Sequence, residues 1–191
     1  MKSSNLTKSI VVSALLITLL SGTAVLGFQD KQNESPGELR FKAPTEWVVE
    51  APSSKMRVAQ YKLPANTGEG EDASLVLYFF GTNSGGSIQA NLDRWISQIE
   101  QPDGSSSAGK AKTETLNVNE LKITTIDLSG TYVAETAPGS GTKYNKPAYR
   151  LRAAVIETPK GAYYIKFVGP TKTVARWDKS FASYLKSFEF K

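Results

Sequence analysis

The chain has 191 residues, of which 40% are hydrophobic, 10% aromatic and 21% charged, and its formal net charge is +5. This composition is typical of a folded protein, and the length suits one domain with a single core. The sequence contains neither His nor Cys, which excludes disulfides, thiolate nucleophiles, imidazole bases and the common zinc and haem ligands.

The N-terminal segment, residues 1–27, is predicted to be a signal peptide. Two lysines precede an apolar run over residues 10–26, and small residues offer cleavage sites after Ala24 or Gly27. An uncleaved helical anchor is the alternative, because the run is nearly long enough to span a bilayer. Exported chains without cysteine are common in bacterial envelopes, where a sufficient core makes disulfides unnecessary. The expected location is therefore the periplasm or the cell surface of a bacterium.

The charge pattern argues against a nucleic-acid partner. Without the signal peptide the chain keeps 21 basic and 18 acidic residues, a net charge of +3 that is spread along the sequence. Nucleic-acid binders carry a clustered basic stripe instead. A membrane is an expected partner only if the N-terminal segment is retained.

The next segment, residues 28–38, is polar with one Pro-Gly pair and is predicted to be a spacer before a single domain over residues 39–191. The domain is predicted to begin with four strands, at residues 39–42, 47–50, 56–63 and 73–80. The fourth of these, ASLVLYFF, is apolar on both faces. A strand of this kind needs cover on both sides of its sheet.

Two amphipathic helices are predicted further along the chain. The first covers residues 87–101 with Ser87 as its N-cap, and it precedes a loop over residues 102–111. The second follows Gly169-Pro170 and carries an apolar stripe from Val174 to Phe188. We expect Trp95, Trp177, Leu77 and Phe79 to be among the most buried residues.

The remaining segments are predicted to be strands and their connections. Strands are predicted at residues 112–132, with a turn at 117–120, and at residues 148–157 and 162–168, which Thr158-Pro159-Lys160-Gly161 joins. The Gly-, Pro- and Ser-rich residues 135–147 are predicted to be a long exposed hairpin loop. Because most strands are separated by hairpin-length links, the pattern favours an α+β fold with an antiparallel sheet over a parallel βαβ fold.

Three segments resemble small exported bacterial proteins of the PsbP-like fold. They are an aromatic-Pro-Trp start (Phe41, Pro44, Trp47), the segment NLDRW (Asn91–Trp95), and YYIKFVGP followed by a helix with F-x-x-Y-L-K-S (Phe181–Ser187). That group includes an extrinsic photosystem II subunit and a Ran-binding nuclear import factor. The resemblance covers roughly residues 39–191. It implies an antiparallel sheet between helical layers, an α/β/α sandwich, and a superfamily of accessory and binding proteins that are mostly not enzymes.

Two groups of residues are candidates for binding. Arg150 and Arg152 alternate with other residues on a predicted strand, which places both guanidiniums on one face, where they could hold a carboxylate or phosphate or pair with neighbouring acids. The exposed loops form the second group, residues 135–147 and 102–111, because loops carry recognition on a rigid sheet. The candidate contact residues in the loop over residues 135–147 are Pro138, Lys143 and Tyr144.

These observations favour a non-enzymatic exported binding or accessory protein without a cofactor or metal. The expected partner is an envelope protein or a small anionic ligand. One alternative is an envelope hydrolase that acts through two buried, closely spaced carboxylates with shifted pKa values. Another is a surface protein tethered by an uncleaved N-terminal helix. The acidic patch of Glu69, Glu71 and Asp72 matches no EF-hand spacing and is expected to be a solvated loop.

Overall fold

The computed structural model describes residues 39–66, 68, 70–82 and 84–191. The predicted signal peptide and the predicted spacer, residues 28–38, lie outside the described residues. The described part belongs to one compact unit and contains ten strands, three α-helices and a short 3-10 helix at Ser107–Gly109. None of the described helices has the length and apolar character that crossing a membrane requires.

The strands form a large and a small antiparallel sheet. In chain order they are β1 (Leu39–Arg40), β2 (Val48–Glu50), β3 (Arg57–Leu63), β4 (Ala73–Phe79), β5 (Ile99–Glu100), β6 (Lys112–Val118), β7 (Leu121–Tyr132), β8 (Lys146–Thr158), β9 (Gly161–Pro170) and β10 (Glu189–Phe190). The large sheet has the order β2-β3-β4-β9-β8-β7, and both β5 and β6 pair with the outer edge of β7. The small sheet joins β1 to β10.

Short turns set the register of the central hairpins. Asn119 and Glu120 connect β6 to β7 with φ angles of 45° and 67°. This left-handed pair matches the right-handed twist of the strands, and it confirms the turn predicted at 117–120. Pro159 and Lys160 likewise connect β8 to β9, where Thr158 lies opposite Gly161.

The first helix begins where the sequence predicts but is shorter. It is α1 (Ile88–Ile96), and the Ser87 hydroxyl caps it by accepting the backbone N–H of Ala90 at 3.1 Å. The predicted end at residue 101 is wrong, because the chain leaves the helix at Ser97 and enters β5. Ile99 is buried as a strand residue opposite Tyr132, although its spacing fits the apolar helix stripe.

The second predicted helix is in fact two helices, α2 (Thr171–Arg176) and α3 (Asp178–Lys186). The chain leaves helical geometry at Trp177, whose φ and ψ are −96° and 8°. The Trp177 indole N–H donates to the carbonyl oxygen of Pro64 at 3.0 Å. This hydrogen bond links the break between α2 and α3 to the segment that follows β3.

The helices cover opposite faces of the large sheet, so the α/β/α sandwich is confirmed. On β8, Ala154 and Ile156 pack in the core beneath α2 and α3, whereas Ala153 and Val155 pack in the core beneath α1. The predicted burial of Trp95, Trp177 and Leu77 is confirmed, with exposed fractions of 4%, 6% and 0%. The prediction for Phe79 is wrong, because this residue at the end of β4 is only partly buried and stacks on Tyr163.

Candidate functional site

Arg150 and Arg152 lie on the same face of β8 and form an arginine cluster with two aspartates, Asp127 and Asp178. Arg150 donates to Asp127 through Nε at 2.7 Å and to Asp178 through Nη1 at 2.9 Å. Arg152 donates to Asp178 through Nη1 at 2.8 Å. Asp127 lies opposite Arg152 on β7, and Asp178 begins α3. The cluster therefore fastens the start of α3 to the sheet, and anion binding by the two arginines stays a prediction.

The electrostatics of the cluster differ from those of a carboxylate hydrolase. Burial opposes ionisation of Asp127, but the hydrogen bond and charge of Arg150, with the charges of Arg152 and Lys112, lower the pKa of this carboxyl. A general acid needs a raised pKa at neutral pH. Asp127 is instead held as a carboxylate whose two oxygens both accept bonds from Arg150.

An open pocket of about 420 Å³ lies beside the cluster, and we call it the cationic pocket. It is lined by Lys110, Lys112, Asp127, Leu128, Ser129, Arg150 and Thr171. The sequence pattern does not single out the two lysines, which precede Arg150 by about 40 positions. The strand register explains their placement, since Lys112 on β6 lies opposite Asp127 on β7, and Asp127 lies opposite Arg152 on β8.

The second candidate site is the link between β7 and β8, residues 133–145, which we call the tongue. Residues 135–145 are exposed, as the sequence predicts, although β8 begins at Lys146 rather than at residue 148. The tongue is hydrogen bonded internally. The backbone N–H of Thr136 donates to the carbonyl of Thr142 at 2.9 Å, and that of Tyr144 donates to Ala134 at 2.9 Å.

The predicted contact residues of the tongue occupy different positions in this arrangement. Lys143 pairs with Glu135 through an isolated β-bridge, and the Glu135 carboxylate also accepts the backbone N–H of Gly139 at 2.8 Å. Pro138 precedes that glycine at the exposed end. Tyr144, which is 37% exposed, lies at the base.

A tyrosine stack, which consists of Tyr132, Tyr144 and Tyr149, supports the base of the tongue. The ring centroids of Tyr132 and Tyr144 are 5.6 Å apart, and those of Tyr132 and Tyr149 are 6.0 Å apart. The Tyr149 hydroxyl donates to Glu71 at 2.7 Å, and Lys146 forms an ion pair with the same carboxylate. The tongue thus emerges from a rigid aromatic base on the α1 side of the sheet.

Two other surface features are a cavity beside α1 and the acidic patch. A cavity of about 580 Å³ lies between α1 and the loop of residues 102–111, and its two charged lining residues, Asp93 and Glu100, are both exposed acids. In the acidic patch, Glu71 pairs with Lys146 and Asp72 with Lys62, whereas Glu69 lies outside the described residues. No group of three or more acidic side chains in the described ranges is arranged to hold a metal ion.

Comparisons with known proteins give matches only among solved structures. No family model and no curated protein matches the chain. LpqN of Mycobacterium tuberculosis, described as involved in cell envelope biogenesis, is similar with a TM-score of 0.51 and 8% identity, over 82% of this chain and 86% of its own. The cyanobacterial PsbP of Synechocystis is matched with a TM-score of 0.48 and 10% identity, over 85% of this chain and 89% of its own.

A protein of unknown function from Pseudomonas aeruginosa is also matched, with a TM-score of 0.45 and 12% identity, over 74% of this chain and 95% of its own. The likeness to LpqN shows the fold, and the PsbP-like α+β fold that the sequence predicts is confirmed. At these identities the comparisons carry no residue roles to this chain, because one fold serves many functions.

Proposed function

We propose that the protein is a non-enzymatic accessory protein of the bacterial envelope that binds a partner protein through the tongue. The location is supported by the predicted signal peptide and by LpqN, which shares the fold and is described as involved in cell envelope biogenesis. The absence of cysteine from the chain fits such a protein, provided that its core is large enough to need no disulfides.

The observation that carries the proposal is the internal order of an exposed loop. Backbone hydrogen bonds and the Glu135 carboxylate hold residues 135–143 in one arrangement while their surface stays open to solvent. Binding through an ordered loop loses little conformational entropy, so more of the contact energy contributes to affinity. Tyr144 offers an exposed aromatic ring at the base, and tyrosine is among the residues that contribute most at protein interfaces.

The carboxylates of the arginine cluster support a binding role over a hydrolase that acts through two carboxylates. With no His or Cys in the sequence, proton transfer at neutral pH would need an Asp, Glu, Lys or Tyr with a strongly shifted pKa. Asp127 and Asp178 contact the same guanidinium, but the pKa of Asp127 is shifted downward, away from the range of a general acid. Lys166, whose pKa is lowered to about 8, is largely buried on the α1 side of the sheet, where its ammonium group bonds to Gln98 and Tyr132.

Site-specific photo-crosslinking in the native envelope tests the proposal. A photoreactive amino acid at Tyr144 should yield one dominant crosslinked protein, and the same group at Lys186, on the exposed side of α3, should not. The protein identified in this way is then used as a purified probe. Deletion of Pro138 to Lys143 should leave the circular dichroism spectrum unchanged and weaken binding of that probe.

Three results would contradict the proposal. Equal crosslinking from both positions would indicate non-specific contact, and undiminished binding by a folded deletion variant would exclude the tongue. Turnover of a glycoside, ester or peptide by the purified protein would show an enzyme. The intact mass of the native protein tests export separately, because a processed chain begins near Phe28, whereas a tethered one keeps residues 1–27 in the membrane fraction.

A further inference from the structure

We infer that the cationic pocket beside Arg150 binds a small phosphate monoester. This inference is independent of the tongue, because it rests on different residues and on a different class of ligand. Lys110 precedes β6 and Lys112 begins it, and both side chains are exposed while lining the same pocket as the largely buried Arg150.

The arginine cluster is balanced in charge, and the two lysines are not. Arg150 and Arg152 are matched by Asp127 and Asp178, each within hydrogen-bond distance of a guanidinium. Among the described residues, neither Lys110 nor Lys112 forms an ion pair within 4.0 Å. The lysines therefore give the pocket and its neighbouring cluster two positive charges that no ion pair among the described residues balances, although the charge of Lys112 also acts on Asp127. Asp103, in the loop before Lys110, feels the charge of that lysine without forming an ion pair with it.

Arg150 is held in a fixed orientation at the pocket. Its Nε and Nη2 donate to the two oxygens of Asp127, and its Nη1 donates to Asp178. These bonds use three of the five N–H donors of the guanidinium, so two donors remain for a ligand. A guanidinium that is already oriented loses little conformational entropy when it binds an oxyanion.

The charge and size of the pocket select the ligand. A phosphate monoester carries a charge of about −1.5 to −2 at neutral pH, which matches the two free lysines better than the single charge of a carboxylate. The volume of about 420 Å³ lies in the range of small-molecule sites. Ser129 adds a hydroxyl donor, whereas the Thr171 hydroxyl already donates to the carbonyl of Ala148. The phosphate could belong to a soluble metabolite or to a lipid headgroup.

The test uses the full chain, processed in its host and labelled with ¹⁵N, and two probes. Glycerol 3-phosphate represents a soluble monoester, with acetate as the carboxylate control, and phosphatidylcholine vesicles with and without phosphatidic acid represent a headgroup. The double variant Lys110→Gln/Lys112→Gln removes the two free charges from exposed positions. The matched variant Lys55→Gln/Lys186→Gln removes the same charge from exposed positions that do not line the pocket.

We expect saturable shifts of the Ser129 and Thr171 amides with glycerol 3-phosphate, and a loss of affinity of at least about tenfold in the pocket variant only. Binding to phosphatidic acid vesicles alone, with the same dependence on Lys110 and Lys112, would assign the phosphate to a lipid. The inference is overturned if neither probe binds, if both double variants weaken binding equally, or if acetate binds as tightly as glycerol 3-phosphate.

Discussion

Lys166 gives the sharpest test of the packing between α1 and the sheet. It lies on β9 on the α1 side, where its ammonium group donates to the Tyr132 hydroxyl at 2.9 Å and to the side-chain oxygen of Gln98. No carboxylate within 4.0 Å pairs with it among the described residues. Burial and the charge of Arg94 lower the pKa of Lys166 from 10.5 to about 8.

This shift predicts that stability rises with pH above neutrality. The pKa of Lys166 is lower in the folded state than in the unfolded state, so between these two values the unfolded chain binds more protons. The free energy of unfolding therefore increases as pH rises from about 8 towards 10.5. From pH 7 to pH 9 the expected gain is about 1.3 kcal/mol. Above pH 10 the trend reverses, because burial raises the pKa of Tyr132 to about 12 and the unfolded chain then loses protons first.

The measurement is the free energy of unfolding in urea at pH 7, 8 and 9 for the wild type and Lys166→Met. Methionine fills a similar volume without a charge, so the variant should lack the increase of about 1.3 kcal/mol between pH 7 and 9. Lys55→Met, at an exposed position, removes the same charge and should keep the wild-type slope. Parallel pH profiles for the wild type and Lys166→Met would refute the reasoning, because they would show that Lys166 titrates alike in both states.

Three further substitutions test the fold. Glu120→Gly should stabilise the protein by about 0.5 to 1 kcal/mol in thermal unfolding. Glycine adopts the φ of 67° at this turn without the steric strain that the Cβ of Glu causes there. Gly130→Ala should cost about 1 to 3 kcal/mol in urea unfolding, because its Cβ would lie 2.5 Å from the carbonyl oxygen of Glu100 on β5. Trp95→Ala should cost about 3 to 5 kcal/mol, and an equally stable variant would contradict the burial of α1.

Local patterns in the sequence predict most of the fold. The apolar run of β4 predicts a strand covered on both faces, and the turn residues at 117–120 and 158–161 predict the two hairpins. Each signal is contained in a few neighbouring residues, so no knowledge of the tertiary structure is needed. The Ser87 cap is read in the same way.

The errors arise where a distant partner decides the local structure. The position of Ile99 fits the apolar stripe predicted for the first helix, but this residue pairs with Tyr132 on β7 and is part of a strand. Trp177 lies within a continuous helical pattern, yet its bond to Pro64, 113 positions away, accompanies a break. The cationic pocket could not be predicted for the same reason, because Lys110 and Lys112 reach Arg150 only through the pairing of three strands.

The two proposed sites lie on opposite faces of one end of β8, and this separation keeps their tests independent. Tyr149 belongs to the tyrosine stack beneath the tongue, and Arg150, the next residue, lines the cationic pocket. Consecutive residues of a strand point to opposite faces of a sheet, so one strand end contributes to both surfaces.

The residue before Tyr149, Ala148, has a φ of 56° and lies at a register shift between β7 and β8. This bulge sets which side chain faces which side, since moving the register by one residue would exchange the two faces. Variants at Lys110 and Lys112 therefore change the pocket without altering the tongue, and deletion of Pro138 to Lys143 removes the exposed end of the tongue without altering the pocket.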